Sequence, residues 1–213
     1  MKVSIIITVF NREEFIARSI RSCLSQTMAR NEYEVIVVND GSTDKTEDVI
    51  DSFGNEIRKI SYKKNKGLAH ASNMGIKAAK SKYVVRVDSD DYIHEDLIKI
   101  EYAFIEMNKY DAVSCDYLVV DSNENIISRE NALEKPIACA IMFNKDKLTQ
   151  VGLYDSKFRL MEEQDLRNRF TKKFKIVNIE IPLYRYLMHE NNATKNLENV
   201  NKYKKLLDKK YES

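Results

Sequence analysis

The sequence predicts an α/β fold with a mostly parallel central sheet flanked by helices, and three observations lead there. Nearly continuous β-branched runs such as Val3-Ser4-Ile5-Ile6-Ile7-Thr8-Val9 have the pattern of strands buried on both faces. These runs alternate with segments of helical spacing as far as Asp88. Polar residues (Asn11, Asp40 and Asp88) each follow the end of a strand run, where open α/β sheets bind their ligands.

Taken in order, the first strand is followed by a helix over residues 13–26, with Phe15, Ile16, Ile20, Cys23 and Leu24 at helical spacing. Residues 33–38 form a second buried strand, Asn39-Asp40-Gly41-Ser42 a turn, and Thr43 or Asp44 can cap a short helix to about residue 53. A third strand covers 57–62, a helix 68–80, and a fourth strand 83–87 stops at Asp88. This βαβαβαβ order implies right-handed crossovers. The second half is more mixed. A helix is expected over 94–108, a strand over 112–120, a hairpin turn at 121–125 and a weak strand at 126–128. Residues 129–137 are polar and irregular, a surface loop that could face a substrate. Short elements follow over 138–143, 145–151, 162–173 and 176–181, and the tail from Leu197 is a Lys-rich helix candidate.

A chain of 213 residues suits one domain with a real core, and 2 Pro and 5 Gly argue against long linkers. The 35 basic and 33 acidic residues leave a net charge of +2, which does not suggest a nucleic-acid partner. Cys23, Cys115 and Cys139 are an odd set with no C-x-x-C spacing, which suits a reducing compartment, and Cys115 and Cys139 are expected to be buried thiols. The apolar run at residues 3–10 is too short to span a membrane and no cleavage site follows it. A soluble, cytoplasmic protein is expected, with peripheral contact at the inner membrane face left open.

Four segments carry the chemistry. In Asp88-Ser89-Asp90-Asp91, residues i and i+2 of an extended segment point the same way, so Asp88 and Asp90 can converge on one ligand. Two carboxylates at a strand end suit a hard divalent cation that keeps positions open for phosphate oxygens. The plainer reading is an acidic turn capping the next helix. Asp40, directly after a buried strand, could accept from a base ring N–H, or could simply form an Asx-type turn. Asn65-Lys66-Gly67-Leu68 opens a helix whose N-terminus could favour a phosphate, or is a plain turn and cap. The last is Glu162-Glu163-Gln164-Asp165 at the start of a helix, where the acidic residues could serve the dipole alone.

Together these pieces resemble glycosyltransferase family 2, with its GT-A fold. The match runs through residues 3–11, 37–44, 65–67, Asn73-x-Gly75, Ala79 and 83–91, and more loosely through 151–155, 161–169 and Tyr184-Arg185. The resemblance implies an inverting, metal-dependent (Mn²⁺ or Mg²⁺) glycosyltransferase of hexosyltransferase type. It would use a nucleotide-sugar donor, a UDP-sugar by preference, and a glycan or lipid-linked saccharide acceptor of a surface polysaccharide. It also assigns roles. Asp40 would recognise the nucleotide base, and Thr8, Phe10 and Asn11 would flank the base and ribose. Asn65, Gly67, Asn73, Asp88 and Ser89 would belong to the donor site. Asp90 would be the more direct metal ligand, Asp88 would lie nearer the ribose or sugar, and His189 could be a third ligand. Glu163 would be the general base in a position where the family usually has Asp, with Asp165 as the alternative.

A second departure is Ser72, where relatives often carry an Arg that supports the donor; His70 or Lys66 could substitute. Residues 1–195 are read as one domain, with donor binding in 1–91 and the acceptor side in 92–195; residues 196–213 are the Lys-rich helix. That tail, with Lys202, Lys204, Lys205, Lys209 and Lys210, could sit on an anionic membrane face, although a solvated helix end is preferred. Tyr203, Leu206, Leu207 and Tyr211 could dock on the domain or on a second subunit, so a homodimer stays open. Two rival functions remain: a nucleotidyltransferase, disfavoured because residues 8–12 contain no Gly, and a non-catalytic nucleotide-sugar-binding module.

Overall fold

The computed structural model describes residues 1–190, 192 and 197–211. Its α/β architecture is the one the sequence predicts. Strands β1 (Val3–Val9) and β2 (Tyr33–Asn39) are buried along their whole lengths, which explains their unbroken apolar character. β1 pairs in parallel with β2 and with β4 (Tyr83–Asp88), and β2 with β3 (Arg58–Ser61). In this register Thr8 stands between Val38 and Asp88, so the carboxyl ends of the three central strands finish in one row.

Side-chain alternation along β1 builds a core on each face of the sheet. Ile5, Ile7 and Val9 pack with Ile16, Ile20 and Cys23 of α1 (Ile16–Leu24), and with Leu97, Ile98 and Ile105 of α4 (Leu97–Asn108). Ile6 turns the other way, with Ile36 and Val38, onto Ala69, Ala71 and Ile76 of α3 (Leu68–Ala78). Gly75 lets α3 come this close, because a Cβ there would lie 2.4 Å from Cγ2 of Ile6. The remaining helices are α2 (Thr46–Asp51), α5 (Lys145–Gln150), α6 (Glu162–Thr171) and α7 (Leu197–Tyr211).

Among the described residues the strand order is β3-β2-β1-β4-β8-β6-β9-β5, with β7 (Ile126–Glu130) on the edge of β6 (Ala112–Val120) that β8 also uses, farther along the strand. The parallel character holds for β3 to β4. The second half is mixed: β8 (Ile141–Asn144) is antiparallel to β4 and to β6, while β6 and β9 (Ile176–Leu187) are parallel.

Two elements differ from expectation for identifiable reasons. β9 has 12 residues and runs past the expected end at residue 181. Its pairing with β6 jumps from Ile179 to Pro182, so a bulge absorbs Glu180 and Ile181 and lets the strand continue past a proline that cannot donate to the ladder. The segment expected to open a helix at residue 94 instead begins with β5 (Tyr92–Ile93), a two-residue strand antiparallel to β9, and α4 starts at Leu97. All three cysteines are free and buried. The domain boundary expected at residue 195 lies outside the described residues.

Candidate active site

A cleft of about 690 Å³ opens at the carboxyl ends of β1, β2 and β4, within the size range of small-molecule sites. Thr8 and Phe10 line it at the end of β1, Asp40 after β2, and Asn65 and Gly67 ahead of α3. Asp88, Ser89 and Asp90 line it after β4, and Glu163 faces it from the first turn of α6. The topology therefore brings together residues 155 positions apart, from Thr8 to Glu163.

Asp40 is 2% exposed, and its two oxygens accept from backbone N–H groups of Lys66 (2.9 Å) and Gly67 (2.7 Å). The carboxylate thus fixes the entry to α3, and those two N–H groups point at Asp40 rather than at an incoming phosphate. Gly41 sits at φ +79°, with Asn65 N 2.7 Å from where its Cβ would be, so only glycine lets the two loops touch.

Three other expected site residues, Asn11, Asn73 and Asp165, make their hydrogen bonds within the fold and do not line the cleft. Asn11 adopts φ 51° and its Oδ1 accepts from Thr43 N at 2.8 Å, joining the β1 and β2 loops outside the cleft lining. Asn73 exchanges two hydrogen bonds with the backbone of Tyr154, at 2.8 and 2.9 Å, and does not line the cleft. Asp165, the alternative base, is fully buried and turned away. Arg169 donates to its Oδ2, and Tyr211 Oη and Lys210 Nζ reach its Oδ1 at 2.8 and 2.6 Å. A base must reach the proton it removes, and this carboxylate is committed to tying α7 onto α6.

Glu163 keeps access to the cleft, and Arg167 one turn later holds its Oε1 at 2.9 Å. The preceding Glu162 is 4% exposed and faces Arg86; burial pushes its carboxyl above the usual range, against the pull of the guanidinium.

At the D-x-D segment, Asp90 Oδ2 lies 3.2 Å from Arg12 Nε and 3.0 Å from His189 Nε2, and the His189 ring stacks on Phe15. Asp88 Oδ1 is 3.5 Å from Arg86 Nη2. Asp91 turns inward to Tyr184 Oη (2.6 Å) and Leu187 N (2.8 Å). Burial and the charges of Asp88 and Asp90 push its carboxyl well above the ordinary range. Carboxylate and imidazole donors suit Mn²⁺ better than the all-oxygen preference of Mg²⁺. Asp90 and His189 fit one such ion, but Asp88 leans toward Arg86. Among the described residues no group of three or more His, Cys, Asp or Glu is arranged around a metal position.

Arg86 and Arg12, which no sequence motif singles out, both reach carboxylates of the D-x-D segment. A charge inside the buried strand Tyr83-Val84-Val85-Arg86-Val87-Asp88 was the available signal for Arg86. At Ser72, the hydroxyl is buried beside Arg86 on the wall of a small void, whereas His70 and Lys66 both pack on Tyr62.

The chain is similar to several known proteins. The chain is 28% identical to poly(ribitol-phosphate) β-N-acetylglucosaminyltransferase TarP of Staphylococcus aureus, over 94% of this chain and 67% of TarP. It is 37% identical to an uncharacterized glycosyltransferase of Rickettsia bellii, over 62% of this chain and 19% of that protein. The chain spans from about a fifth to two thirds of the length of these relatives. In fold it is similar to S. aureus TarS in complex with UDP-GlcNAc, with TM-score 0.79 and 22% identity over 92% of this chain and 61% of that one. It is also similar to a mannosyltransferase of Pyrobaculum calidifontis in complex with GDP-Man and Mn²⁺, with TM-score 0.71 and 15% identity over 90% and 58% of the two chains. Residues 4–170, which include the three central strand ends and the first turn of α6, match Glycosyl transferase family 2, and the chain belongs to that family.

Proposed function

We propose that the cleft binds a nucleoside-diphosphate sugar, a UDP-sugar by preference, and that the chain transfers the sugar with inversion to a glycan or lipid-linked saccharide. The observation that carries this reading is the convergence of Asp40, Asp88, Asp90 and Glu163 on one cleft of about 690 Å³. The complexes of TarS with UDP and UDP-GlcNAc support the donor class, and the name of TarP supports a polymer acceptor.

In this reading residues 1–91 hold the donor and residues 92–195 shape the acceptor side. Thr8 and Phe10 flank the base, Asp40 offers its remaining lone pairs to a ring N–H, and Asp88 meets the ribose or sugar. Glu163 takes the acceptor hydroxyl proton as the oxygen attacks the anomeric carbon. The new C–O bond forms while the bond to the diphosphate breaks, and its electron pair leaves with the nucleotide. Removing the proton during attack matters because a neutral alcohol is a poor nucleophile. A bound Mn²⁺ at Asp90 and His189 would supply Lewis-acid stabilisation to the departing diphosphate. Arg12, now on Asp90, is the group such an ion would displace.

No helix among the described residues is long and apolar enough to cross a membrane. α7 is read as a helix docked on the domain. Lys210 and Tyr211 bind Asp155 and Asp165 and Leu207 is buried, while Lys202, Lys204, Lys205 and Lys209 face solvent.

The test is a panel of nucleotide sugars with wild type and Glu163→Gln, each with Mn²⁺, Mg²⁺ or chelator. Metal-stimulated turnover is expected, with Glu163→Gln slower by about 10²–10⁴-fold, the usual worth of a general base. Metal-dependent binding with no turnover would select the non-catalytic module, and no binding at all would overturn the reading.

A further inference from the structure

Arg86 lies on β4 two residues before Asp88, is 6% exposed, and forms part of the cleft floor. Its guanidinium stands between carboxylates from the two halves of the site: Nη2 is 3.5 Å from Asp88 Oδ1, and Nη1 is 3.5 Å from Glu162 Oε1. Beneath it are the Cys139 thiol, 3.7 Å from Nη2, and the Tyr154 ring, whose centroid is 5.4 Å from Cζ. Its Nε is buried without a hydrogen-bond partner, as is the hydroxyl of Ser72 across the small void they share.

An apolar side chain would serve the strand better on stability grounds. A buried ion pair is often no better than a well-packed hydrophobic pair, and an unpaired buried N–H adds a further cost. What an apolar residue cannot do is hold two carboxylates at a set separation. Asp88 ends the donor strand, and Glu162 is the residue before Glu163 in the first turn of α6. The planar guanidinium reaches both through different nitrogens, a geometry a lysine cannot copy.

We propose that Arg86 is a positioning residue that ties Asp88 to Glu162 and so keeps the donor-side carboxylates in register with Glu163. This rests on the functional reading above. It implies that Arg86 governs the rate of transfer rather than the affinity for the donor.

The test uses Arg86→Met, Arg86→Lys, Glu162→Gln and the double variant Arg86→Met/Glu162→Gln. Arg86→Met leaves Glu162 buried and unpaired, so its melting temperature falls, and the double variant recovers it. At that recovered stability the double variant is expected to transfer sugar on the order of 10²-fold more slowly, as misplacement of reacting groups does. Its donor KM should stay within about threefold of wild type, and Arg86→Lys should recover only part of the rate. A double variant with wild-type kcat would overturn the proposal, leaving Arg86 as a counter-ion to Glu162. If wild type turns over no nucleotide sugar, the functional reading fails by itself. The tether is then decided by thermal unfolding of Arg86→Met combined with Asp88→Asn and with Glu162→Gln. Non-additive melting shifts in both pairs support it, and additivity in either overturns it.

Discussion

The two halves of the cleft place their carboxylates by different means. On the donor side, Asp40 and Asp88 stand at the ends of β2 and β4, whose register with β1 is set by backbone ladders through a buried sheet. On the acceptor side, Glu163 sits in the first turn of α6, and the next turn is anchored by side chains. Asp165 binds Arg169, which reaches the carbonyls of Val151 and Leu153, and also Lys210 and Tyr211 of α7. A ladder survives most single side-chain changes, whereas an ion-pair hub fails when its central member is removed. If the strand ends hold the donor and α6 the acceptor, as proposed, the donor side is the robust half and the acceptor side depends on one buried carboxylate.

The largest effect is expected of Asp165→Ala. Removing the buried centre of the hub should cost about 3 kcal/mol or more. In thermal unfolding the melting temperature should drop, and in solution transfer should be lost before donor binding. Equal loss of both would mean the halves are not independent. Next comes Asp40→Ala, which strips two charge-assisted bonds from Lys66 and Gly67 and should cost about 2 kcal/mol. Here donor binding should fail first.

Glu101 sharpens the picture from outside the site. It is fully buried on α4, with neither oxygen hydrogen-bonded and the Cys115 thiol facing it, and burial raises its carboxyl well above the ordinary 4.5. A raised acid favours the fold while it stays protonated, so its contribution is complete below pH about 4.5 and is lost as pH rises through the folded value. Glu101→Gln should therefore match wild type in acid and exceed it at pH 8, by about 1–2 kcal/mol in chemical denaturation. Gly75→Ala should also destabilise the fold, by about 1–3 kcal/mol in chemical denaturation, because the added methyl would stand 2.4 Å from Cγ2 of buried Ile6 and α3 must move off the sheet to make room.

The same contrast explains what could be read from the chain before folding. β1, β2 and β4 were legible because burial on both faces leaves a continuous apolar run, and a polar residue directly after such a run falls at a strand end. Asp40, Asp88 and Asp90 lie at or just beyond such ends, and all three line the cleft. Asn11, Asn73 and Asp165 carry the same residue types but spend their side chains on distant backbone or on α7, and no local spacing distinguishes the two uses. β9 was cut short because Pro182 reads as a strand end unless the bulge against Asp116 is known. Arg86 is not legible in the sequence because its partners besides Asp88 lie 53 and 76 positions away, in Cys139 and Glu162.

The central claim is that one cleft joins a donor-binding half to a separate proton-removing carboxylate. The most direct measurement is donor affinity by calorimetry alongside transfer rate, for wild type, Asp90→Ala and Glu163→Gln in Mn²⁺. Asp90→Ala should lose donor affinity, while Glu163→Gln should bind the nucleotide sugar like wild type and fail to transfer it. A Glu163→Gln variant that transfers at the wild-type rate, or an Asp90→Ala variant that binds donor undiminished, would contradict the account.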